Sequence, residues 1–168
     1  MTFEYCPVCG NKLVPRVIGD EGDIPYCEDC GRPFFPFSYP CVICLCADED
    51  DNVLLIKQSY GIKRNVCVAG YIKSGESAEE CCRREIAEET GLEVLGTSFL
   101  YSRYYAGHDN LMLAFVCRVK HAETILSSEV SEARWFRREE AESALFEGAF
   151  GIDMLHRWKE LENEGAVI

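Results

Sequence analysis

Basic side chains are in short supply here: 17 Lys and Arg stand against 29 Asp and Glu, a formal charge of −12 over 168 residues. Such a field repels phosphate backbones, so nonspecific nucleic-acid binding is not expected. No charged opening leads into an apolar stretch, and the longest apolar runs, around Cys41 to Ala47, are far too short to span a bilayer. The expectation is a cytoplasmic protein with no membrane partner. Internal repeats and low-complexity segments are missing as well. What is present, a 48% hydrophobic composition at this length, suffices for one domain with a real core plus one small module.

Cysteine is abundant, at 11 residues. An odd count and two Cys-x-x-Cys pairs point to thiolate metal ligation rather than disulfides. The pairs are Cys6-Pro-Val-Cys9-Gly and Cys27-Glu-Asp-Cys30-Gly, with Pro15, Gly19, Gly22 and Pro25 between them. In each, a tight turn aims two sulfurs at one point, and the following glycine lets backbone amides approach them. Four such ligands close a tetrahedral shell, which predicts structural zinc in a ribbon over residues 1–36. An iron site or a redox dithiol are the rival readings, and the duplicated pair argues against the dithiol. Cys41 and Cys44 form another Cys-x-x-Cys, but strand alternation sends residues three apart to opposite faces. They are read as small buried residues, as are Cys67, Cys81, Cys82 and Cys117.

Residues 37–168 form the larger domain. Strand-like runs at Cys41 to Cys46, Val53 to Lys57, Val66 to Ala69, Thr97 to Tyr105, Leu111 to Val119 and Ala133 to Phe136 alternate with two or three helical segments. Asp48 to Asn52 reads as a hairpin turn. The pattern predicts a helix over Ser77 to Thr90, with Ser77 as N-cap, Glu80 completing a capping box and Gly91 as a left-handed C-cap. Ala78, Cys82 and Ile86 form its buried stripe. Beside the stripe, Glu85, Glu88 and Glu89 fall within an arc of about 100°. Like charges so placed destabilise a bare helix, and hard divalent cations such as magnesium or manganese would relieve them. An ordinary solvated glutamate face is the alternative from spacing alone.

The whole string from Gly70 through Glu76, Arg84, Glu85, Glu88, Glu89 and Gly91 to Leu92 resembles the Nudix signature at every specified position. A chance match anywhere in the chain is below about one in a million at average residue usage. The resemblance implies an α/β fold, an α/β/α sandwich around a mixed sheet, that hydrolyses a nucleoside diphosphate linked to another group. It implies that Glu85, Glu88 and Glu89 are the metal-binding and catalytic carboxylates and that Arg84 steadies them. Gly70 and Glu76 match the loop that shapes the site. Metal-activated water would attack phosphorus, with Glu85 the first choice of general base.

Knuckles followed by a Nudix box is the order found in the NADH pyrophosphatase family, which also removes NAD caps from RNA. Glu129-Val-Ser-Glu132-Ala-Arg-Trp-Phe136 is similar to a segment of that family whose first glutamate is a metal ligand, so Glu129 joins the magnesium or manganese set. One segment departs: the family carries Ser-Gln-Pro-Trp-Pro-Phe-Pro-x-Ser before Leu-Met, and here Ser102-Arg-Tyr-Tyr-Ala-Gly-His-Asp-Asn110 stands before Leu111-Met112. Dinucleotide specificity is therefore open. Tyr104, Tyr105 and His108 are candidates for stacking on a base and Arg103 for a phosphate or ribose contact, with ordinary strand aromatics as the alternative. The expected partner is a nucleotide-derived small molecule, with a capped RNA end the one nucleic-acid candidate. A ligand-sensing or partner-binding module built on an inactive domain is the competing function. Ile152, Leu155, Trp158 and Leu161 recur at helical spacing and predict a packing helix, and the family resemblance suggests a homodimer.

Overall fold

The computed structural model describes residues 3–61 and 63–166. Two compact units meet in sequence between Tyr39 and Pro40, three residues beyond the expected end of the ribbon. Ring packing among residues 34–39 explains the difference. Phe3 packs edge-on against Phe34 and at a tilt against Phe37, which in turn packs edge-on against Tyr39, so these rings belong to the first unit.

In that unit β1 (Val14–Val17), β2 (Asp23–Cys27) and β3 (Arg32–Pro33) form an antiparallel sheet in the order β1-β2-β3. Among the described residues its buried cluster contains Cys6, Leu13 and Cys27, with Phe3, Cys30 and Phe34 partly covered against them. So little apolar area cannot offset the chain entropy of ordering the unit.

The second unit has the opposite character. Strands β4 (Tyr39–Ala47), β5 (Val53–Gln58), β7 (Val94–Tyr105), β8 (Asn110–Val119) and β9 (Val130–Phe136) lie in the order β7-β8-β4-β5-β9, and β6 (Val68–Tyr71) pairs with β4 to complete a six-stranded mixed sheet. Strand alternation divides the core in two. On one face Ile43, Leu45, Leu55, Ala114 and Val116 pack against Ala141 and Leu145, from α2 (Arg138–Ala144) and the turn after it, and against Met154, Leu155 and Trp158 of α3 (Phe150–Asn163). On the other, Val42, Cys44, Leu54, Phe115 and Cys117 pack against Cys81, Cys82 and Ile86 of α1 (Ala78–Thr90). This is the expected α/β/α sandwich. Cys41 and Cys44 do fall on opposite faces, and α3 packs as the spacing of Leu155 and Trp158 predicts.

One strand begins later than its sequence suggests. Val66 makes only an isolated bridge to Ile56, and β6 runs from Val68 through Gly70 to Tyr71, opposite Val42 and Cys41. The β4–β5 turn is built on Asp48. Its buried carboxylate accepts from the backbone of Asp50 and Asn52, from the Asn52 amide and from His121 Nδ1 at 2.6 Å, while Asp51 takes φ 61°.

Candidate active site

Helix α1 starts and stops where its caps dictate. Ser77 accepts from the Glu80 amide at 3.2 Å, and Glu80 accepts from the Ser77 amide at 2.7 Å, which closes the capping box. At the other end Gly91 adopts φ 72° and donates to Ala87 O. A side chain at Gly91 would be strained by that φ and would also press on Ile125. The loop carrying Glu129 is tied to this end of the helix: Ile125 N donates to Thr90 O and Ser127 N to Glu89 O. From the other side, Ser59 donates its amide to Glu129 O and its hydroxyl to Ser128 O, each at 2.7 Å.

Arg84 organises the acidic face. Its guanidinium grips Glu76 with two hydrogen bonds, at 2.7 and 2.9 Å, and donates to Glu85 at 2.6 Å, Glu88 at 3.1 Å and Tyr71 O at 3.0 Å. This fork, with the Lys73 amide beside it, holds the Glu76 carboxyl down at about 2. Glu85 lies over Gly70, where a Cβ would coincide with the Glu85 carboxyl. Only glycine lets that carboxylate sit against the strand.

Glu89 is left out of the network. It is 7% exposed, and its Oε2 is buried without a hydrogen-bond partner. Burial pushes its carboxyl up to about 7, and the charges of Glu85, Glu129 and Glu88 push the same way. Glu85, Glu88, Glu89 and Glu129 all line one open cleft of about 610 Å³.

The remaining walls of the cleft come from Gln58, Tyr60, Gly70, Tyr71, Lys73, Asn110 and Met112, among others. Tyr60 and Tyr71 are both about half exposed there, and Asn110 Oδ1 is buried with no hydrogen-bond partner. None of these except Gly70 was singled out from sequence, although Tyr71 follows Gly70 directly. Conversely, Arg103, Tyr104, Tyr105 and His108 are not among the residues lining the cleft. Arg103 bonds Asp153 at 2.7 Å and lies over the Phe150 ring, Tyr104 donates to Asp109, and Tyr105 packs on His108 and Phe150.

The first unit holds a second ligand cluster. Sγ atoms of Cys6, Cys9, Cys27 and Cys30 all lie within 4.8 Å of one another, with Cys6 and Cys30 at 3.8 Å and Cys9 and Cys27 at 3.5 Å. Ligands at about 2.3 Å on a tetrahedron stand about 3.8 Å apart. Each knuckle closes through the amide of its glycine, Gly10 to Cys6 O at 2.8 Å and Gly31 to Cys27 O at 2.9 Å. The Val8 and Cys30 amides point at the sulfurs of Cys6 and Cys27. The four thiols could hold a metal ion.

A NUDIX domain model matches residues 38–158. The chain is 36% identical over 152 residues to Nudix hydrolase 19, chloroplastic, of Arabidopsis thaliana, covering 84% of this chain and 34% of that one. It is 29% identical over 140 residues to the NAD-capped RNA hydrolase NudC of Photobacterium profundum, covering 83% and 52%. The chain thus spans about half, or less, of the length of these curated relatives. In fold it is similar to a crystal structure of a NUDIX hydrolase from Nitrosomonas europaea, with TM-score 0.71 at 20% identity over 97% of this chain and 94% of that one. With the model covering most of the chain and the carboxylate helix inside it, this chain belongs to the NUDIX domain family.

Proposed function

We propose that the chain is a divalent-metal-dependent pyrophosphohydrolase acting on a nucleoside diphosphate linked to another group, with NADH, NAD and ADP-ribose the foremost candidates. The observation that carries the reading is the buried, unpartnered Oε2 of Glu89, a residue that lines the cleft together with three more carboxylates. An orphaned acceptor surrounded by like charge is costly unless a cation completes it. All-oxygen donors suit magnesium or manganese, so Glu85, Glu88, Glu89 and Glu129 fit that group.

When bound, the metal would supply charge neutralisation at the pyrophosphate and acidify a water. The chain's own residues do the rest. Arg84 holds Glu85 and Glu88 in place and keeps Glu76 as a fixed anchor for the loop. Glu85, seated against Gly70, takes the proton of the attacking water. The water oxygen bonds to phosphorus, the bridging P–O bond breaks, and the departing phosphate carries away the electron pair. Tyr60 and Tyr71 offer aromatic surface for a base, and Lys73 a cation for phosphate. The relatives named as NAD-capped RNA hydrolases support a pyrophosphate within a dinucleotide as the bond cleaved. The four knuckle thiols would hold structural zinc, since their spacing fits a closed tetrahedral shell.

The test is turnover of NADH, NAD, ADP-ribose, nucleotide sugars and nucleoside triphosphates with magnesium or manganese, with products separated by chromatography. AMP released from NADH in preference to ADP-ribose supports a dinucleotide enzyme. Preference for another member moves the specificity, and no metal-dependent turnover of any would contradict the proposal.

A further inference from the structure

Beneath the cleft helix lie three thiols that the reaction does not use. Cys44 on β4, Cys82 on α1 and Cys117 on β8 are each fully buried, and all three are free thiols. Their Sγ atoms all lie within 4.8 Å of one another. Neighbouring strands β4 and β8 present Cys44 and Cys117 to the same face, and Cys82 meets them from the buried side of α1. Around one centre at about 2.3 Å, three sulfurs stand at most about 4.0 Å apart. Small side-chain rotations would therefore close the ring.

Coordination number and charge select the ion. Among the described residues no fourth His, Cys, Asp or Glu joins this group, in contrast to the four-thiol cluster of the first unit. A four-coordinate zinc shell is thus not offered. The surroundings include Leu54, Ile86 and Phe115. Three thiolates around a monovalent or divalent ion would leave net negative charge in this apolar layer, at high cost. Around a trivalent ion they are neutral.

We propose that Cys44, Cys82 and Cys117 form a binding site for a trivalent thiophilic ion of the arsenic(III) kind, which staples the carboxylate helix to the sheet. Arsenous acid reacts there by exchange. Three As–O and three S–H bonds break, three As–S bonds form and three waters leave, with no electron transferred. Cys82 lies one turn before Glu85, so the staple anchors the segment of α1 that carries the acidic face.

Refolding the reduced full chain with one equivalent each of zinc and arsenite removes burial as a barrier to entry. Native mass spectrometry then reads the stoichiometry. The expected result is one arsenic and one zinc per chain and a raised thermal midpoint. Arsenic uptake should be lost in Cys82→Ala and Cys117→Ala and kept in Cys81→Ala, which removes another buried thiol from the same helix. No uptake by the native sequence, or uptake that persists in both triad variants, overturns the proposal. Should those variants fail to fold, the zinc count decides. Arsenic bound to three sulfurs with zinc retained supports the triad, and arsenic entering as zinc leaves places it in the knuckles and overturns the site.

Discussion

The two units of this chain solve the same problem by different means. The first gathers four thiols and a few rings, and among the described residues its buried cluster has one aliphatic side chain, Leu13. The second covers both faces of a six-stranded sheet, burying Leu45, Leu54, Leu55, Ile56, Ile86 and Trp158 almost completely. Burial of each such side chain stabilises by roughly 1.5–3 kcal/mol, so the larger unit can afford one buried, unpartnered carboxylate at its cleft. A unit with so small a buried cluster has no such surplus.

Substitutions separate the two modes, beginning with the largest effect. Cys27→Ser should abolish the ordered structure of the first unit, because the knuckles lose their common centre. Hydrogen exchange should show its amides unprotected while those of the second-unit core stay protected. Trp158→Ala removes an indole that is 0% exposed and lies under the Arg138 guanidinium. It should cost about 3–5 kcal/mol in denaturant unfolding, with zinc content unchanged. Gly70→Ala should cut turnover by at least about a hundredfold by displacing Glu85, a loss of about 2.7 kcal/mol in transition-state stabilisation. Ser77→Ala, which opens the capping box, should lower stability by about 1 kcal/mol.

The buried carboxylate also sets a pH dependence. Glu89 has its folded pKa raised to about 7 from the ordinary 4.5, so folding takes up a proton between those values. That stabilisation is complete below the unfolded pKa and is lost as pH rises through the folded one. Metal-free protein should therefore lose stability relative to Glu89→Gln as pH rises from about 4.5 to about 7, the unfolded and folded values. Thermal melts in chelator would show it, and parallel pH curves for the two proteins would contradict it.

What the sequence disclosed was local, and what it concealed depended on pairing between distant segments. Ser77, Glu80 and Gly91 announce α1, and its periodicity places Glu85, Glu88 and Glu89 together, because caps and helix phase act within a few residues. The knuckle cysteines are legible for the same reason. Gln58, Tyr60 and Asn110 reach the cleft only through the arrangement of β5 and β8 around β4, which no short window contains. Arg103 illustrates the converse: a basic residue beside two tyrosines suggests a ligand contact, yet Asp153 and Phe150 of α3 engage it. The thiol triad is hidden too, since Cys44, Cys82 and Cys117 each read as small buried residues, with nothing in a short window to show that they meet.

The most direct test compares Glu89→Gln with the native sequence on the best substrate of the panel, at saturating magnesium, with zinc content and melting midpoint measured in parallel. A fall in turnover of at least about a hundredfold, with the fold and zinc intact, is the predicted result for losing a metal-site carboxylate. Near-normal turnover would place the chemistry outside this cleft and contradict the account.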